Sequence, residues 1–242
     1  MDTSNKLNAN LLDAFTKLLN QYRSRFIEYN RCHEVRLTNP FIPIIPDNYL
    51  SSRRIVYCLK ETFGWGKEFA ADKASTIFNP QVTPNQLMNL SNRFLNDARK
   101  KGTGVAPLRR FLELENIAKQ YNASVVYTNL ATIGYEYGNT GFDPEINGML
   151  AEIKKYEFSI LEPDLILFYT SWRYDNFIKK WIGDFDTVEC FPDISSQQLA
   201  KLEFNIGPLK DVECYRTYHP QYNFENRKRI NEYLNNRIMS NK

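Results

Sequence analysis

No run in this 242-residue chain approaches the roughly 18 to 20 consecutive apolar residues that a membrane-spanning helix needs. The opening stretch, MDTSNKLNANLLDAF, lacks a basic segment followed by an apolar core, so the sequence predicts a cytoplasmic protein. Cysteine is sparse, and Cys32, Cys58, Cys190 and Cys214 never fall at C-x-x-C spacing. A disulfide framework does not suit a chain of this size and context, and Cys58 and Cys214, inside apolar runs, read as buried thiols. Zinc-ligand spacing, a G-x-x-x-x-G-K-[ST] phosphate loop and a G-x-S-x-G elbow are all missing. Metal-dependent, nucleoside-triphosphate and serine-hydrolase chemistry therefore find no support. There is no Gly/Ser-rich or Pro-rich linker, no long charge run and no internal repeat, which makes one domain over residues 1–242 the expected organisation.

What is present belongs to an ordinary globular domain, with 43% apolar and 24% charged residues. The net charge of +3 suits a polyanionic partner but also many enzymes of small metabolites, so charge does not decide function. Apolar residues at helical spacing over Leu7 to Tyr29 predict a long amphipathic helix within an N-terminal extension of about 50 residues. Arg54–Leu59 (RIVYCL) reads as a buried strand entering a loop at ETFGWG. Pro84–Lys100 and Pro107–Tyr121 begin with proline in the first helical turn and continue at helical spacing. Ser124–Leu130 and Asp164–Tyr169 read as strands, with Pro144–Leu161 helical between them and a helix around Asn176–Trp181. Asp186–Cys190 and Val212–Tyr218 supply two further strands, and a basic helix from Phe224 to about Met239 closes the chain. This alternation predicts an α/β fold, a three-layer α/β/α sandwich around a mostly parallel sheet of about four to five strands.

In such sheets right-handed crossovers bring the carboxyl ends of the strands to one edge, where ligands bind. Four loops are expected to meet there: 61–66, 129–134, 170–173 and 219–224. They carry a carboxylate (Glu61), an amide (Asn129), a histidine (His219) and the aromatics Phe63, Trp65, Trp172 and Tyr222. An amide offers both a donor and an acceptor, rings offer π-faces, and imidazole can stabilise charge on a leaving group. A planar heterocycle is the natural ligand of that set. Each residue also has an ordinary structural reading: Glu61 as a helix cap or a partner of Lys60 or Lys67, Asn129 as a turn residue, His219 as packing before Pro220. Considered jointly the balance moves to a site, and His219 is the one of two histidines that follows a strand.

The order of these loops resembles the uracil-DNA glycosylase superfamily, over roughly residues 50 to 225. Lys60–Gly64 (KETFG) is similar to that family's Gly-Glu-Ala-Pro-Gly loop, although the first glycine and the proline are absent here. The resemblance implies that Glu61 activates water. VVYTNLATIG resembles the second motif, which implies that Asn129 reads the Watson-Crick edge of an extruded base. Tyr218-His219-Pro220-Gln221-Tyr222 resembles the closing His-Pro motif, which implies that His219 bonds the departing base while Gln221 and Tyr222 enter the DNA stack. Phe63, Trp65 and Trp172 would line the base pocket.

The implied activity is that of a monomeric, monofunctional DNA glycosylase, with no cofactor and with water as nucleophile. Some relatives carry a four-cysteine iron-sulfur cluster, and the scattered cysteines here argue against one. The partner is DNA, double- or single-stranded. Family members act on uracil, on mismatched thymine in repair, or on hypermodified cytosines of phage DNA in antiviral defence, and Gly64-Trp65-Gly66 leaves the choice of base open. Two basic stretches, Arg99–Arg110 and Asn226–Arg237, offer phosphate contacts through Lys100, Lys101, Arg227 and Arg229, or else are solvated helix ends. A non-catalytic nucleic-acid-binding protein of the same fold and a nucleoside hydrolase remain the alternatives.

Overall fold

The computed structural model describes residues 3–34, 36–61, 78–135 and 144–240. The predicted α/β architecture is present, around a sheet of six strands. β1 (Arg53–Glu61), β2 (Ala123–Ala131), β3 (Leu165–Phe168) and β6 (Glu213–Thr217) are mutually parallel, in the order β2-β1-β3-β6. β5 (Leu199–Phe204) continues the sheet antiparallel to β6, and β4 (Phe185–Glu189) forms the outer edge antiparallel to β5. β5 is the strand that sequence reading misses. Its signal is the alternation of Ala200, Leu202 and Phe204, packed inward, with Lys201 and Glu203 facing out, a half-buried strand rather than the apolar run of a central one.

β1, β2 and β3 are built on apolar runs because both faces are covered, while β6 (ECYRT) buries Glu213 and Arg216 in ion pairs. β2, β3 and β6 are buried along their entire length. Strand alternation divides the core in two. On one face, Val56, Cys58, Val126, Ile166 and Phe168 meet α1 (Thr3–Cys32) through Leu11, Phe15 and Leu18, and α4 (Pro144–Leu161) through Met149, Leu150 and Ile153. On the other, Ile55, Tyr57, Leu59, Val125, Tyr127 and Tyr215 meet α3 (Ala106–Gln120) through Phe111 and Leu114, and α6 (Arg227–Met239) through Ile230 and Leu234. Of the thiols, Cys58 and Cys214 are buried, Cys190 is half-buried and Cys32 is exposed.

α2 (Pro84–Lys101) starts on a capping box: Gln86 N–H donates to the Thr83 hydroxyl, and the Gln86 side chain accepts from Thr83 N–H. α5 (Asp175–Trp181) is short and is tied to the sheet by Arg216, a buried residue of β6 that donates to both carboxylate oxygens of Asp175 and to the carbonyls of Ser196 and Gln197. No described helix is long and apolar enough to cross a membrane.

Candidate functional site

Because β1, β2, β3 and β6 are adjacent and parallel, their carboxyl ends form one edge. Register fixes what stands there. Asn129 is level with Leu59, and Glu61, the last residue of β1, is level with Ala131. Phe168 is level with Cys58 on one side and Arg216 on the other, so the chain leaves β3 at Tyr169–Ser171 beside the exit of β6 at Thr217–His219. The Ser171 N–H donates to the Thr217 carbonyl at 2.9 Å and ties the two exits together. Ser171 does this with a φ of 75°, a left-handed conformation that costs a non-glycine residue on the order of 1 kcal/mol or more. Glu61 lies inside β1, not in the loop expected for it, because β1 runs two residues past its apolar run, while Asn129 lies inside β2, within the strand expected at Ser124–Leu130. The side chain of Glu61, together with Phe63 and Trp65, lies outside the described residues.

Asn129 is 3% exposed, and its side-chain oxygen has no hydrogen-bond partner among the described residues. An unmade bond on a buried acceptor costs about 1–3 kcal/mol. The Thr170 hydroxyl, just past β3, is buried and unpartnered in the same way. Two unsatisfied polar atoms at the carboxyl edge of one parallel sheet are what a polar ligand would satisfy.

His219 is half-buried behind Pro220. Its Nδ1 accepts from Gln221 N–H at 3.4 Å, which assigns the ring proton to Nε2, and the Tyr222 N–H closes the turn on the His219 carbonyl at 2.9 Å. Burial, and secondarily the charge of Lys60, pushes the imidazole pKa down from 6.5 to about 4, so the ring is neutral at neutral pH. Between those values the unfolded chain holds the extra proton. The contribution of His219 to stability is therefore complete above about pH 6.5 and is lost as pH falls toward 4. A proton NMR titration, with His219→Gln to identify the signal, should show its ring titrating near pH 4; a midpoint above 6 would remove the neutral-donor role.

Lys60, the residue before Glu61, is a site residue that sequence reading treats only as a carboxylate partner. Its ammonium lies 5.5 Å from the centre of the Tyr174 ring and 4.8 Å from that of Tyr222, and it donates to the Tyr222 hydroxyl at 3.3 Å. Tyr174 belongs to the 3-10 turn Trp172–Tyr174, where Trp172 is 38% exposed with the Arg173 guanidinium 5.9 Å from its ring centre. Tyr222 is 51% exposed, and Gln221 is exposed beside it.

The two basic stretches are less available than their sequences suggest. Arg99 forks onto Glu115 at 2.7 Å, and Arg110 is buried, donating to Tyr169 Oη at 2.9 Å and to Asn235 at 2.8 Å. Arg237 pairs with Glu213 at 2.5 Å, and Arg229 is committed to Asp193 and to the ring of Phe191. Lys101 reaches Asp97 at 3.8 Å, an exposed pair of little strength. Lys100, Arg227 and Lys228 have no carboxylate partner among the described residues. No described contact joins Lys100, Lys101, Arg227 or Arg229 to Asn129 or His219.

Among the described residues, no three of His, Cys, Asp and Glu gather as metal ligands do. No family model and no curated protein matches the chain.

Proposed function

We propose that the protein is a DNA glycosylase that hydrolyses the bond between deoxyribose and an extruded pyrimidine base. The observation that carries this reading is the side-chain oxygen of Asn129, buried and without a hydrogen-bond partner among the described residues, on the edge to which His219 also comes. A ring or exocyclic N–H of a base is a donor from which such an oxygen can accept. The neutral His219, with its proton on Nε2, supports the same reading, because it can donate to a base oxygen as negative charge grows there.

In this mechanism the nucleotide leaves the stack at a cost of a few kcal/mol and its base meets Asn129. The glycosidic bond breaks with its electron pair going to the base, which leaves positive charge on the sugar. Glu61 stabilises that charge and takes a proton from water as the water oxygen bonds to the sugar carbon. His219 holds the base anion. Glu61 then gives up its proton to solvent and the base anion takes one up, so the products are an abasic site and the free base, and no lysine adduct is formed.

Incubation with duplexes and single strands bearing uracil, mismatched thymine or modified cytosine, followed by alkali, should reveal strand breaks at one of these bases. A preference for uracil or mismatched thymine would place the enzyme in repair, and one for modified cytosine in defence against phage. Intact strands throughout, with base released from free nucleosides, would establish a nucleoside hydrolase instead. Intact strands with DNA binding retained would leave a non-catalytic binding protein.

A further inference from the structure

We infer that Lys60 is a phosphate-binding residue that holds a single nucleic-acid strand across the carboxyl edge of the sheet, between stacking faces supplied by Tyr222 and Trp172. The inference rests on the proposal that nucleic acid occupies this edge, and it adds the strand form and a contact that the glycosylase chemistry does not require.

A lysine at a strand end normally leaves its ammonium free in water, at a high cost in rotamer freedom when it is fixed. Here the ammonium is fixed in advance. The rings of Tyr174 and Tyr222 flank it, the Tyr222 hydroxyl accepts one of its three protons, and no carboxylate pairs with it among the described residues. Lys60 is only partly buried, so its remaining donors stay within reach of an incoming group. A cation that is positioned, accessible and without a carboxylate partner among the described residues is suited to an anion.

The surroundings select the anion. Tyr222 and Trp172 are large aromatics exposed at 51% and 38%, on turns that meet through Lys60 and Tyr174, and each has a cation near its ring, Lys60 for one and Arg173 for the other. Alternating rings and cations match the alternating bases and phosphates of one unpaired strand. Free phosphate would use the cations and leave the rings idle. A duplex would keep its bases stacked on one another and away from both rings.

The test measures binding of a short oligodeoxyadenylate, which carries no pyrimidine to release, to the full chain over a range of salt concentrations. Lys60→Met should weaken binding roughly threefold to tenfold and reduce the slope of log affinity against log salt by about 0.7, the share of one phosphate on a single strand. Lys60→Arg should restore the slope. Trp172→Ala leaves Lys60 and its Tyr222 partner in place and removes a stacking face, so it should weaken binding with the slope unchanged, a separation that general damage to the fold would not produce. Inorganic phosphate serves as a second probe.

Unchanged affinity and slope in Lys60→Met would overturn the inference even if base release is observed. Absence of oligonucleotide binding by the unmodified chain, or Lys60-dependent binding of inorganic phosphate alone, would overturn it as well. Lys60-dependent strand binding without base release from any substrate would uphold it and defeat the glycosylase reading.

Discussion

Replacing Glu61 by glutamine or His219 by alanine is expected to slow single-turnover base release by on the order of 10²-fold or more, with little loss of DNA affinity. The reason is when each interaction forms. The sugar cation and the base anion exist only near the transition state, so groups that stabilise them contribute to the rate and hardly to ground-state binding. Asn129→Ala should behave differently. In the proposed mechanism it removes the contact made as the base arrives, and it should impair both rate and discrimination between bases. Full single-turnover activity in both Glu61→Gln and His219→Ala would show that the chemistry lies elsewhere in the molecule.

The second large effect concerns stability. Lys154 and Glu157, one turn apart on α4, are 0% exposed and paired at 2.8 Å. The Thr128 hydroxyl of β2 completes the triangle: it donates to Glu157 at 2.7 Å and accepts from Lys154 at 3.2 Å. Removing one member leaves a buried charge without compensation, so Lys154→Met should destabilise the fold by about 3–5 kcal/mol. Urea unfolding should show this as a lower midpoint at constant slope. The double variant Lys154→Met with Glu157→Leu should recover most of the loss, since an apolar pair of similar volume avoids the desolvation cost. A loss below 1 kcal/mol in the single variant would mean that the carboxylate finds another partner.

Much of the fold is legible in the sequence because central parallel strands must be apolar on both faces, and RIVYCL, SVVYTNL and DLILFY are. Helix starts are legible where the chain declares them, as Thr83-Pro84 does. Strand ends are harder to read. Lys60 and Glu61 are polar and look like loop residues, yet the pairing with β2 carries β1 through to Glu61. β5 escapes because a strand solvated on one face shows only alternation, and its pairing with β4 is decided by the tertiary fold.

The candidate site is legible as a set of loops ordered along the chain. What stays hidden is pairing between distant side chains: that Arg99, Arg110 and Arg237 are spent on Glu115, Tyr169 and Glu213, while Lys60 lodges between two tyrosines. Basic residues look alike in a sequence, and only the fold separates the neutralised from the available.

The strand order has a consequence for how the molecule is made. Ile55 of β1 waits for Val125 on one side and Leu165 on the other, and β3 in turn waits for Glu213 and its neighbours. Contacts this remote in the chain make folding slow, because a long loop must close before any of them forms. During synthesis β1 emerges before either of its partners and stays an unpaired apolar ribbon until β2 follows, an interval in which exposed strand edges invite aggregation. His219 arrives later still. The edge that carries Asn129 and His219 is thus among the last parts to be completed.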